Sequence, residues 1–127
     1  MRLPADFSSA YRKETERASP GFYRVRLDDF GTDVEIAASE HGAVYRLRYP
    51  SGARARLLLD PAWRIRTWDA EGTGIVSSEV AFASDGLVTG RVRVKQWVDR
   101  TYFFALRLDC PYTVSERGVK TMPREPN

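Results

Sequence analysis

The chain of 127 residues contains one cysteine and one histidine. A lone Cys110 forms no disulfide within the chain and cannot build a cysteine-ligated zinc site. A lone His41 excludes a two-histidine metal centre within one chain. A Ser-His-Asp triad would have to use His41, and no G-x-S-x-G nucleophile elbow accompanies it. The scarcity of these residue types therefore argues against zinc-centred and serine-nucleophile chemistry built within the chain.

Long hydrophobic runs are also missing. The polar N-terminus, MRLPADFSSAYRKETERASP, lacks the roughly 7–15 consecutive apolar residues of a signal peptide. No stretch approaches the roughly 20 apolar residues that a membrane helix needs. We therefore expect the chain as given to be cytoplasmic, and secreted or periplasmic if it is excised from a longer parent.

Helical periodicity is absent, and apolar and polar side chains alternate with a period of two instead. Turn residues at 28–31 and 39–42 divide the stretch 19–50 into three strands of an antiparallel meander. A Ser-Asp-Gly hairpin signal stands at 84–86. About eight short strands with turns between them predict an all-β antiparallel sandwich. The later strands are predicted at 53–59, 63–68, 77–82, 87–97 and 101–109, the last and most apolar in the middle of a sheet.

The chain divides by composition into three parts. Residues 1–18 form a polar N-terminal arm, and residues 19–112 form the β-sandwich domain. Residues 113–127 contain Pro123 and Pro126 without an apolar rhythm, which is typical of a loose tail.

Arginine supplies 17 of the 20 basic residues, and many occur as R-x-R pairs on predicted strands, although the net charge is only +3. If those strands are neighbours, one sheet face carries about ten guanidinium groups, because a spacing of two keeps each pair on one side. Three interpretations stay open: a solvated face paired with Asp33, Glu35 and Glu79, a surface covered by another domain, or a phosphate- or carboxylate-binding surface. Nucleic acid is the least favoured ligand, since the net charge is small and no nucleic-acid motif is present.

Aromatic residues offer a second candidate surface, on which a sugar ring could stack. Packing alone also favours aromatics in strands. Trp97 and Trp68 are the better carbohydrate-binding candidates because each lies on the arginine side of its predicted strand. Carboxylates show no spacing that indicates a glycosidase pair, so no catalytic residue is predicted.

The segment 16–31 reads ERASPGFYRVRLDDFG and resembles the pattern E-x-A-x-P-G-Y-Y-x-V-x-L-x-x-Y-G in the N-terminal domain of glycoside hydrolase family 92. These enzymes are calcium-dependent exo-acting α-mannosidases. The likeness continues through Arg46 to Pro50, where the family reads H-R-Y-x-F-P, and resumes at 57–60, at Gly90 with Trp97, and at 102–112. Arg46, which matches the family's arginine, is the third predicted carbohydrate-binding residue.

The resemblance implies a galactose-mutarotase-like supersandwich domain that packs on an (α/α)6 barrel. That barrel supplies the calcium ligands and the catalytic acid and base, so the resemblance implies no cofactor, no metal ligand and no glycosidase activity in this chain alone. The expected role is to brace a glycan site of an α-1,2-mannosidase, with the barrel domain or a glycan as partner. The family's polar pattern is changed at His41, Ala43 and Tyr45. The alternative is a free-standing glycan- or polyanion-binding module that uses the arginine-rich face, and exposed edge strands would allow a homo-oligomer.

Overall fold

The computed structural model describes residues 8–61, 74–95 and 97–114. The fold is all-β, as the sequence predicts, and the described residues form seven strands in two antiparallel sheets. The chain divides into two compact units, 1–57 and 58–127, and each contains one sheet. The strands are β1 (Arg17–Ser19), β2 (Phe22–Leu27), β3 (Thr32–Ala38), β4 (Ala43–Arg48), β5 (Gly74–Phe82), β6 (Leu87–Lys95) and β7 (Asp99–Arg107), and a 3-10 turn spans Lys13–Thr15.

Sheet A contains β1 to β4 in sequence order. The three predicted strands of the meander and both predicted turns are confirmed, and β1 is an additional short strand. Gly31 has φ of 59° in the β2–β3 turn, a conformation that glycine adopts without steric cost. In the β3–β4 turn the Ser39 amide donates to the Gly42 carbonyl at 2.8 Å. Short turns between consecutive strands therefore fix the register of the whole sheet.

The register gives sheet A two different faces. Val25 pairs with Val34 and Val34 with Leu47, which places these three apolar side chains in one row across the sheet. Val25 and Thr32 on this face are 7% and 4% exposed. The opposite face carries the charged residues of β2, β3 and β4. The alternation read from the sequence thus predicts both faces correctly.

The N-terminal residues are tied to the β2–β3 turn. The Asp28 amide donates to the Ala10 carbonyl at 2.9 Å, and the Ala10 amide donates to Asp29 Oδ2 at 2.9 Å. The Asp29 amide donates to Ser9 Oγ at 3.1 Å. This reciprocal set of bonds satisfies turn donors that a free arm would leave to water.

Sheet B has the order β5-β6-β7. The predicted hairpin between β5 and β6 is confirmed: Gly86 has φ of 82°, and Asp85 Oδ1 accepts a hydrogen bond from the Leu87 amide at 3.1 Å. Ile75 and Val88 are 8% and 3% exposed and form the most buried part of this sheet. The ring of Phe104 covers Gly90, where an added Cβ atom would collide with Cζ and Cε1 of the ring and lie 2.7 Å from the Glu79 carbonyl oxygen.

Several strand predictions are wrong. Residues 53–59 form no strand, although Arg54 and Arg56 alternate with apolar residues. Alternation makes a strand only where a neighbour completes the ladder, and here the Arg56 carbonyl accepts instead from the Tyr49 hydroxyl at 2.7 Å. Leu57, Leu58 and Leu59 are accordingly exposed. The described part of the chain has seven strands.

The prediction for the last strand is wrong in its bounds, and among the described strands β7 is not in the middle of its sheet. β7 begins two residues earlier than predicted, at Asp99, and ends at Arg107. It stands at the end of the described order of sheet B, with β6 in the middle. Hydrophobicity alone does not determine strand order, because half-buried aromatics also suit an outer strand. The strand predicted at 63–68 and the tail from 115 onward lie outside the described residues.

Candidate functional site

Glu35 is the centre of the charged face of sheet A. Its carboxylate lies 3.3 Å from Arg46 Nη1, 3.9 Å from Arg48 Nη2 and 4.0 Å from Arg24 Nε. The Glu35 side chain is 18% exposed, whereas the three arginines are 47% to 64% exposed. One carboxylate thus lies beneath three guanidinium groups that reach into solvent.

The remaining charges of this face extend it across all four strands. Asp33 accepts hydrogen bonds of 3.3 and 3.4 Å from Arg26 Nη1, and Arg17 pairs in register with Arg24. The strands therefore place five guanidinium groups against two carboxylates, a formal excess of three positive charges. We call this surface the arginine face: Arg17, Arg24, Arg26, Asp33, Glu35, Arg46 and Arg48.

A shallow depression of about 360 Å³ lies at the β1 end of the arginine face. Its lining combines Arg17, Arg24 and Arg26 with Asp33 and the 3-10 turn. Glu16 is not part of this lining; it accepts hydrogen bonds from Lys13 Nζ at 2.6 Å and, at 2.8 Å, from the hydroxyl of Tyr23, which belongs to the opposite face of the sheet. These two bonds lower the pKa of Glu16, and the bond to Glu16 raises the pKa of Tyr23.

Sheet B carries its own cross-strand ion pairs. Arg91 donates to both carboxylate oxygens of Glu79 at 2.8 and 2.9 Å, and Arg93 donates to both oxygens of Asp99 at 2.5 and 2.9 Å. The hydrogen bonds from the arginines lower the pKa of Glu79 and of Asp99. Two-point pairing of this kind occupies the planar edge of each guanidinium.

The predicted acidic partners are confirmed, but a single continuous arginine surface is not. Asp33, Glu35 and Glu79 each pair with arginines on adjacent strands. The R-x-R pairs at 24/26 and 46/48 belong to sheet A, and the pair at 91/93 belongs to sheet B. Residues 54 and 56 lie outside strands, and the pair at 64/66 lies outside the described residues. Spacing places a pair on one side of its strand but does not determine which strands become neighbours.

Trp97 lies in the β6–β7 connection and lines a second depression, of about 190 Å³. Arg100, Tyr102 and Val94 line it too, and the register puts these residues on the face opposite Arg91 and Arg93. Trp97 was predicted to lie on the arginine side of its strand. That placement is wrong, because β6 ends at Lys95 and Trp97 lies beyond it. Trp97 is 82% exposed.

The outcome differs among the three predicted site residues. Arg46 belongs to the arginine face, and Trp97 belongs to the depression on sheet B. Trp68 lies outside the described residues. Arg100 was not predicted as a site residue. Alternation along β7 places it on the same side as Tyr102, and this signal could have identified it.

The described residues contain neither a metal-binding cluster nor a membrane-spanning helix. Among residues 8–61, 74–95 and 97–114, no three His, Cys, Asp or Glu side chains are grouped in a way that could hold a metal ion. In the same residues, no helix has the length and apolar character needed to cross a membrane.

The sequence from residue 2 to residue 123 matches the family model of the glycosyl hydrolase family 92 N-terminal domain. The match covers nearly the whole chain, and two antiparallel sheets are the building blocks of the sandwich class predicted from the sequence. The chain therefore belongs to the glycosyl hydrolase family 92 N-terminal domain family, which makes it an accessory domain of the glycoside hydrolase class. No curated protein matches the chain in a sequence search.

Proposed function

We propose that this domain forms one wall of a glycan site whose catalytic residues lie outside these 127 residues, in an (α/α)6 barrel domain. The family match supports a role beside a glycoside hydrolase domain. By the resemblance of residues 16–50, the substrate is an α-1,2-linked mannose and the reaction of the parent enzyme is calcium-assisted hydrolysis. This chain contributes no catalytic residue to that step.

The observation that carries the proposal is the depression lined by Trp97, Tyr102 and Arg100. Exposed indole and phenol rings give apolar faces on which a pyranose ring packs, and a guanidinium donates hydrogen bonds to sugar hydroxyls. Tyr102 is 56% exposed and Trp97 82% exposed, so both rings are accessible. Complete small-molecule sites measure roughly 300–1,000 Å³. A depression of about 190 Å³ is smaller and suits one wall of a larger site.

The test is binding of α-1,2-mannobiose to the chain, followed by saturation-transfer NMR. We expect weak binding, in the millimolar range typical of a partial site, and loss of the transfer signal in Trp97→Ala. Phe30→Ala is the matched control, because Phe30 is another exposed aromatic residue (51%) and lies in the other unit, at the β2–β3 turn. Equal signals in Trp97→Ala and the unchanged chain would contradict the proposal, as would equal losses in both variants.

A separate measurement addresses the catalytic part of the proposal. Incubation of the chain with α-1,2-mannobiose and calcium should release no mannose. Measurable turnover would show that catalytic groups reside in this chain, and it would contradict the proposal that they lie outside these 127 residues.

A second function, polyanion binding, is supported by the stoichiometry around Glu35. A carboxylate offers about four lone-pair sites, whereas three guanidinium groups present about fifteen N–H donors. Glu35 therefore leaves most donors of Arg24, Arg46 and Arg48 available for carboxylate, sulfate or phosphate groups. Salt-dependent retention on heparin that is lost in Arg46→Ser/Arg48→Ser would favour this function. Retention unchanged in that variant would count against it.

A further inference from the structure

The outer strands of the two sheets differ in how their edges are protected. β1 has only three residues, and β4 carries Arg46 and Arg48. β5 has a bulge between Ile75 and Ser77. Short length, charge and bulges are devices that keep sheet edges from pairing with another chain. Each of these three strands therefore has at least one of them.

β7 has none of these devices over most of its length. It is nine residues long and its register with β6 runs without interruption. Residues 101–106 read TYFFAL and contain no charge and no proline. Among the described strands, β7 has a neighbour on one side only. Its outer edge therefore offers backbone N–H and C=O groups next to a run of high β-propensity.

The sequence of β7 is self-complementary when two copies run antiparallel. With Phe103 opposite Phe103 of a second copy, Asp99 stands opposite Arg107, so each end of the pairing joins opposite charges. Tyr102 stands opposite Phe104, and Thr101 opposite Ala105. Phe103 and Tyr102 are 77% and 56% exposed, and this pairing would bring Phe103 against its own copy and Tyr102 against Phe104 of the second copy.

The ion pairs within each copy fit the same register. Asp99 is held by Arg93, and Arg107 Nη2 lies 3.3 Å from Asp85 Oδ2. Pairing the strands brings Asp99 of one copy to Arg107 of the other. Each end of the interface then carries four charges of alternating sign, in the order Arg93, Asp99, Arg107 and Asp85, the last two from the second copy. Alternation of this kind favours one register over its neighbours.

We infer that the chain binds a second copy of itself through β7, in an antiparallel pairing centred on Phe103. The pairing extends sheet B into a sheet of six strands with β7 of both copies in the middle. The inference does not rest on the glycan site proposed above, because a monomeric chain can still carry the Trp97 depression; the pairing places Phe104 of the second copy beside Tyr102, which lines that depression.

Sedimentation velocity of the full chain over a range of about 1 to 200 µM tests the inference, since strand-edge contacts of this size are typically weak. We expect a concentration-dependent dimer. Phe103→Lys places two like charges opposite each other at the centre, so it should raise the dissociation constant at least about tenfold. Ala81→Lys is the matched control, because Ala81 is an exposed residue on the other outer strand of sheet B, and it should leave the dimer unchanged. A chain that stays monomeric throughout overturns the inference, as does a dimer that Phe103→Lys does not weaken.

A cross-linking experiment checks the register without adding charge. Phe103→Cys in a Cys110→Ser background should form a disulfide-linked dimer on mild oxidation, because the residue faces its own copy. Ala81→Cys in the same background should remain monomeric under the same conditions. Equal cross-linking of the two variants, or none in the first, contradicts the pairing centred on Phe103.

Discussion

Glu35→Gln is the substitution that most directly tests the arrangement of the arginine face. It keeps the size of the side chain and removes the charge that three arginines share. Glu35 makes one contact of 3.3 Å and two of 3.9 and 4.0 Å with guanidinium nitrogens. Exposed ion pairs contribute about 0.2–1 kcal/mol each, and the contact with the shortest distance lies near the top of that range because Glu35 is largely covered. We expect the free energy of unfolding to fall by about 1–2 kcal/mol.

Urea denaturation followed by far-UV circular dichroism measures this loss. With a slope of about 2 kcal/mol per molar urea, the midpoint should fall by about 0.5–1 M. Circular dichroism is the direct probe, because the strands of sheet A contain no tryptophan. Asp33→Asn is the control within the same sheet, because Asp33 pairs with one arginine of the described face, Arg26, whereas Glu35 contacts three, and its shift should be smaller.

Glu35→Gln should strengthen anion binding, although it lowers the stability of the chain. Removing the Glu35 charge raises the formal excess of the arginine face from three to four positive charges, so elution from heparin should require more salt. The stability difference between variant and original should shrink in 1 M salt, where the screening length is about 3 Å. An unchanged urea midpoint, or a midpoint shift no larger than that of Asp33→Asn, would refute the shared-carboxylate reasoning.

Two further predictions concern packing and pH. Gly90→Ala should destabilise the chain by about 1–3 kcal/mol in thermal or urea unfolding, because its methyl group would collide with the Phe104 ring and a strand carbonyl. Gly42→Ala, where a Cβ meets nothing nearer than 3.8 Å, should be close to neutral, and similar losses in both would contradict this account. The pKa values of Glu79 and Asp99 are lowered in the folded chain, so their pairs stabilise it above the unfolded pKa and lose that contribution as pH falls through the folded pKa. Thermal unfolding should therefore show a midpoint that drops between about pH 4.5 and pH 2, and a midpoint independent of pH in that range would contradict it.

The local structure of sheet A is predictable from sequence because its turns and its alternation agree. Glycine and aspartate in the turns stop each strand at a defined residue, and the period of two then assigns every side chain to a face. Glu35 and its arginines follow from that assignment once the strands are known to be consecutive neighbours. Residues 53–59 have the same alternation but no strand beside them in the described chain, and they form none.

The depression around Trp97 could be predicted only in part. Its aromatic residues were visible in the sequence, but the end of β6 at Lys95 decides that Trp97 belongs to a connection. That connection brings Trp97 to Val94, Arg100 and Tyr102, which come from two different strands. A pattern along one strand contains no information about which residues a loop will bring beside it.

The sequence by itself determined the all-β class, the two faces of sheet A and the family. Each of these depends on local spacing or on a pattern of residues in order. The tertiary structure decided how the arginine pairs are divided between two sheets, which carboxylate the arginines share, and that the most apolar strand ends the described order of sheet B. These properties depend on which strands become neighbours, and that choice is made by hydrogen bonding and packing between strands, which the pattern along any one strand does not contain.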